Sequence, residues 1–256
     1  MKFSRFICVI ALLCLSFSVL AQEPEGEPTK NIDNTTALWI GYYTKFRIGA
    51  KSFYYGEYHI RRRDFAANMS KLYLRFGYTY LFTKKFEVTG GIATPLSWSK
   101  YQGNPEYDDV VPEFRFWQQF LFVDKLYHSK LYHQLRFEQR WKRDYLKGSP
   151  YELDYRFRYR FTTYIPLNDH KLKPGTLFAS LYDEIFIQAG KPITYNHFED
   201  NRLFLGLGYI INNELQMQLG YMWSFKHNGS PYDYINTHIL RFSIYHNVDF
   251  YRSRSR

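Results

Sequence analysis

Cysteine is almost absent from this 256-residue chain, and its two copies, Cys8 and Cys14, both fall in an N-terminal stretch that reads as a leader. Once that leader is removed, disulfides, thiol catalysis and Cys-based metal sites are excluded. Long apolar runs are missing as well. Beyond residue 21 no stretch is apolar enough for a membrane-spanning helix, and the mean hydropathy is −0.46. Signatures of catalysis and metal binding are also lacking. His128, His133, His170, His197, His227, His238 and His246 form no HExxH and no repeated ligand pair, and no GxSxG elbow occurs. No cofactor is expected.

The leader itself has a positive start (Lys2, Arg5), an apolar centre (Ile7 to Leu15) and a small-residue end at Ala21, followed by polar Gln22. Cleavage is expected after Ala21. Cys14 follows Leu12 and Leu13 rather than a small residue, which argues against a lipoprotein site. The expected organisation is a signal peptide (1–21), a polar N-terminal segment (22–36), one β domain (37–251) and a basic tail (252–256). The net charge of +10 does not imply nucleic acid, because an exported chain has little access to it and the arginines are spread through strands.

What the chain has in abundance is aromatic residues, 21% of the total. They are ordered. In Tyr155-Arg156-Phe157-Arg158-Tyr159-Arg160-Phe161 aromatics and arginines alternate at the two-residue period of a strand, so one face is aromatic and the other cationic. Comparable segments recur near 37–48, 52–63, 70–83, 85–98, 112–123, 130–142, 153–166, 175–189, 201–211, 214–226 and 237–251. Tight connections at 49–51, 83–85 and 211–214 alternate with long ones at 99–111, 143–152, 190–200 and 227–236. Segments 124–129 and 167–174 take the remaining short places.

Long strands and alternating short and long connections are the pattern of an outer-membrane barrel rather than of a sandwich. The expected fold is all-β, a single antiparallel transmembrane barrel of about twelve strands, with ten as the alternative. The even number follows from placing both termini in the periplasm. Expected partners are outer-membrane lipids and the barrel assembly machinery.

One face then meets lipid, including Phe114, Phe116, Phe137, Leu203, Leu205, Leu207, Leu219, Tyr221 and Leu240, with Trp98, Trp141 and Trp223 in an interfacial girdle. The other face gathers Glu57, Arg75, Arg115, Arg136, Glu138, Arg140, Arg156, Arg158, Arg160, Glu184, Arg202 and Arg241 in the lumen. Arg136 and Arg140 are expected to pair with Glu138 or Glu184, since an isolated charge in a confined interior is costly. Such a lumen is either an anion-selective path or a polar plug, and a barrel this small favours the plug. Two alternatives to a non-enzymatic barrel stay open: a lipid hydrolase using His133, Ser180 or His238, and a secreted soluble β-sandwich that binds ligand. Glu106, Asp108 and Asp109 form an acidic loop for which solubility is the simpler role.

The segments FRFWQQFLF (114–122), HQLRFEQRW (133–141), YRFRYRFTTYIPL (155–167), LYDEIFI (181–187) and FEDNRLFLGLGYIINNELQMQLGYMW (198–223) resemble the exported barrel proteins catalogued as domain of unknown function 2490. The resemblance covers nearly the whole chain after the leader. It implies an outer-membrane barrel of a Gram-negative envelope and supplies no activity. It places Arg136, Glu138, Arg140, Arg158, Glu184, Asn201 and Arg202 on recurring polar positions of that family. The C-terminal RSRSR departs from the pattern of barrels that finish on an aromatic.

Overall fold

The structure, a computed structural model, describes residues 29–253. It contains β1 (Asn31–Arg47), β2 (Ser52–Arg63), β3 (Asn68–Thr83), β4 (Phe86–Trp98), β5 (Val110–Pro112), β6 (Phe114–Leu126), β7 (Ser129–Lys142), β8 (Glu152–Pro166), β9 (Leu177–Ala189), β10 (Phe198–Ile210), β11 (Leu215–His227) and β12 (Asp233–His246). One helical turn, α1 (Phe250–Ser253), follows. The expected leader lies outside the described residues. Part of the segment expected to be merely polar belongs to β1, which starts at Asn31.

The sheet closes on itself. Each strand pairs with its sequence neighbour, except that β5 and β6 both pair with β4, and β1 lies beside β12. Twelve strands are present, in keeping with the expected number, but they occupy eleven places around the barrel. Short β5 and β6 share one side of β4 and one register, from Trp98↔Val110 to Phe86↔Phe122. The break at Glu113 falls where its N–H donates to the Pro95 carbonyl (2.9 Å), and Pro95 has no N–H to return.

Eleven places force the closing pair to run parallel. Contacts between β1 and β12 rise together in both strands, from Asn34–Asn236 and Thr35–Thr237 to the parallel bridge Arg47↔Asp249. The parity argument for two termini at one end therefore does not hold. A parallel seam closes the ladder as completely as an antiparallel one and leaves no free edge.

Five connections sit at each end. At one end they are 48–51, 84–85, 127–128, 167–176 and 211–214; at the other, 64–67, 99–109, 143–151, 190–197 and 228–232. Most long connections share the second end. Two of them are strapped together there by Arg143 Nη2 to Asp108 Oδ2 (2.6 Å) and the bridge Tyr107↔Leu146.

The two-residue period distributes side chains as the alternation suggests. On β8, Asp154, Arg156, Arg158 and Thr162 are buried while Tyr155 is exposed. Ile92, Phe116, Leu205, Leu207 and Leu219 are all more than half exposed on the outer face. Inside, Trp117, Phe186, Phe204, Met222 and Ile239 are almost wholly buried among charges.

Gly91 faces Gly77 across β3 and β4, and a Cβ on Gly91 would come 2.0 Å from the Phe76 carbonyl oxygen. That neighbour is backbone and cannot swing aside. Gly90 has open space at the same level. Gly91→Ala should therefore destabilise the barrel by about 1–3 kcal/mol through overpacking, whereas Gly90→Ala should be neutral or slightly stabilising. Urea unfolding of the two variants checks this; equal midpoints would contradict the close approach.

Candidate functional site

The interior is organised around Glu138 on β7, whose side chain is completely shielded. Arg75 reaches one of its oxygens from β3 (2.6 Å), and Arg115 reaches the other from β6 (2.9 Å). From β8, Arg156 bonds the second oxygen and Arg158 approaches the first at 3.8 Å. Four guanidiniums thus share one carboxylate, and each needs further acceptors. Arg75 turns to Glu57 (2.6 Å) and Tyr73 Oη (2.6 Å), Arg115 to Glu113 (2.7 Å), Arg158 to Glu184 (2.6 Å) and Arg156 to Glu199 (3.5 Å).

The pairing expected for Arg136 and Arg140 is not met. Arg136 donates to Glu57 (2.9 Å) and to the Gln119 side-chain carbonyl (2.9 Å), and Arg140 grips both oxygens of Asp154 (2.6 and 2.9 Å) and one of Glu199 (2.7 Å). The oxygens of Glu138 are already taken by arginines of β3, β6 and β8, and its β7 neighbours find acids of their own on β2, β8 and β10. Register also sets Arg115 opposite Arg140 and Arg136 opposite Arg158, like charges that the intervening acids offset.

Of the twelve residues read as lumen-facing, ten are buried, and Arg160 and Arg202 are partly so. Arg160 pairs with Glu184 (3.1 Å) and Arg202 with Asp200 (2.6 Å), while Arg241 takes the hydroxyls of Tyr182 and Tyr43 in place of an acid. Asn201, grouped with them by the family resemblance, is on the opposite strand face and donates to Asp183 (2.8 Å).

Four further acids complete the network. Asp154 shares the parity of Arg156 and Arg158, and Glu113 that of Arg115, so the alternation puts both inside. Glu199 and Asp200 are consecutive yet both buried, because the register of β10 against β9 shifts between Phe198 and Asp200. A bulge of this kind adds one residue to a strand and turns two successive side chains the same way, which no two-residue period anticipates. His59, inside against Tyr43 and Arg61, also went unread.

The network divides the interior into two chambers. One, of about 340 Å³, lies toward the long connections and includes Lys71, Lys142, Lys226, Arg61, Arg202 and Arg241. The other, of about 690 Å³, lies toward the short turns and includes Lys45, Glu87, Gln134, Tyr164 and Asn247. Tyr43, Glu57 and Arg160 border both.

The residues suggested for hydrolysis do not converge. His133 and His238 lie on the outer face, each bonded through Nδ1 to a tyrosine hydroxyl, Tyr159 (2.8 Å) and Tyr221 (2.5 Å). Ser180 is inside and donates to Gln218 (3.3 Å). In the acidic loop Asp108 holds Arg143, and Asp109 accepts from the Gly103 N–H (3.0 Å). Among the described residues no group of acids and histidines could hold a metal ion.

These features define a closed β-barrel with an ion-paired core and an apolar outer surface. The profile of the family described as Protein of unknown function (DUF2490) matches residues 36–236, most of the chain. The chain belongs to this family. No curated protein matches it.

Proposed function

We propose that the protein is a non-enzymatic, integral outer-membrane β-barrel, exported through its leader, whose Arg/Glu interior is a structural plug that permits at most limited passage of solutes. The observation that carries this reading is the inverted distribution of side chains. Large apolar residues such as Ile40, Ile92, Phe116, Phe137, Leu205 and Leu219 are exposed around the barrel while its charges are buried. Water penalises that outer surface and a bilayer rewards it.

The strands are also long enough, from 12 residues in β2 to 17 in β1, β5 apart, where tilted spanning strands need about 9–11. An odd, parallel-closed barrel is compatible with lipid because the ring of strands is closed and each has a neighbour on both sides, β5 apart. The absence of enzymatic chemistry in this reading rests on the separation of Ser180 from His133 and His238. The closed interior rests on the Glu138 layer between the chambers.

Envelope fractionation tests the placement. The protein should follow the outer membrane and migrate faster on a gel unheated than heated. Recovery in the soluble periplasmic fraction would reject the proposal in favour of a secreted binding protein. In planar bilayers the purified barrel should give no large steps, and steady anion-selective conductance would replace the plug by a channel.

A further inference from the structure

The two chambers differ in charge. The lining of the 340 Å³ chamber carries twelve Lys and Arg side chains against five Asp and Glu among the described residues. Adding Glu138 and Asp154, which pair with this lining from behind, still leaves the cations in excess. The excess can be located. Among the described residues, Arg61, Lys71, Lys226 and Arg241 have no carboxylate within ion-pair distance, although the other arginines of the lining do.

Arg61 is the most unusual of them. Its guanidinium sits over the Trp39 ring, 3.7 Å from the ring centre, and contacts His59 Nδ1 at 3.4 Å, while its Nε is buried without a partner among the described residues. Toward the mouth, Lys71 and Lys226 project from the ends of β3 and β11 that carry the long connections, and the Lys226 side chain is exposed. Deeper, the Nε atoms of Arg75 and Arg115 are likewise buried and unpartnered. Like charges gathered in a partly desolvated cavity repel, and an entering anion relieves that repulsion.

We propose that this chamber is a binding site for a small phosphate-bearing anion that enters from the end with the long connections. The rim lysines draw the anion in, and Arg61 and Arg241 hold it beside Trp39. Phosphate suits the site better than a halide because one phosphate group carries close to two charges and several acceptor oxygens, and it matches the guanidinium fork. The volume is at the low end for small-molecule pockets, so the ligand is no larger than a sugar phosphate and an acyl chain does not fit. The inference rests on the closed interior proposed above, since a wide channel would hold no anion in place.

The test uses the full chain after leader removal, refolded in detergent, with folding established by the gel shift before any ligand is added. Inorganic pyrophosphate, titrated by calorimetry at constant ionic strength, should bind saturably and raise the unfolding midpoint. Arg61→Gln should weaken binding by about tenfold or more, the effect of losing a charged hydrogen bond, while Lys226→Gln weakens it less. Lys85→Gln, at an exposed pair with Asp124 on the opposite end, should leave binding unchanged. Absence of saturable binding by protein that shows the gel shift would overturn the proposal without touching the barrel reading. Equal binding of citrate would overturn the assignment to phosphate. Competition by phosphatidylglycerol vesicles would move the site out of the chamber and onto the lipid-facing surface.

Discussion

Replacing Glu138 with glutamine should cost the barrel about 3–5 kcal/mol, the largest effect expected of any single interior substitution. The change preserves shape and removes one charge, but that charge is shared by Arg75, Arg115, Arg156 and Arg158. All four are themselves buried, so water cannot replace what they lose. Position on the network sets a graded series. Glu184→Gln should cost less, because Glu184 forms ion pairs with two arginines, Arg158 and Arg160, and the second of these is partly solvated. Glu87→Gln should cost under about 1 kcal/mol, because its partner Lys45 is 30% exposed. Urea unfolding followed by tryptophan fluorescence and gel mobility gives the three values. Should Glu138→Gln match wild type, the four guanidiniums must find other anions, and the core is wetter than its burial implies.

The same network explains what could be read from the chain and what could not. Face assignment needs only parity, and Tyr155 to Phe161 supplied it without ambiguity: Arg156 and Arg158 are inside and Tyr155 is outside. Strand positions were equally legible, because alternation over a dozen residues has few competitors. Pairing is a different kind of information. Arg75–Glu138 spans 63 residues and Arg136–Glu57 spans 79, contacts that exist only because the sheet curls until β2 and β3 face β7. Nothing local encodes that curvature. The bulge before Asp200 is the complementary case, a local event invisible to periodicity that adds Glu199 to the acids around Arg140 and Arg156. Closure was the third. An even number was inferred from where the termini ought to lie, whereas β1 and β12 meet in parallel and eleven places suffice.

Leu205→Arg separates a bilayer from water as the surroundings of the outer face, because the two solvents give opposite answers for one side chain. Leu205 lies mid-strand in β10, opposite Leu181 on β9 and Tyr221 on β11, and is 59% exposed. In water, an already exposed leucine can become arginine with a change within about 0.5 kcal/mol. At the midplane of a membrane the same change costs about 2–4 kcal/mol. Phe157→Asp, on the same face of β8, should behave similarly with a smaller penalty. Arg158→Gln is a poor control, since Arg158 pairs with Glu184 at 2.6 Å and its loss disturbs the core. Lys226→Gln serves better, being an exposed interior residue without an ion pair among the described residues. Folding yields into lipid vesicles should therefore fall sharply for Leu205→Arg, moderately for Phe157→Asp and not at all for Lys226→Gln. In detergent micelles, which deform around a charge, the difference should shrink. Equal yields of Leu205→Arg and wild type in vesicles would mean that this face does not meet lipid, and the apolar belt would then need a protein partner to cover it.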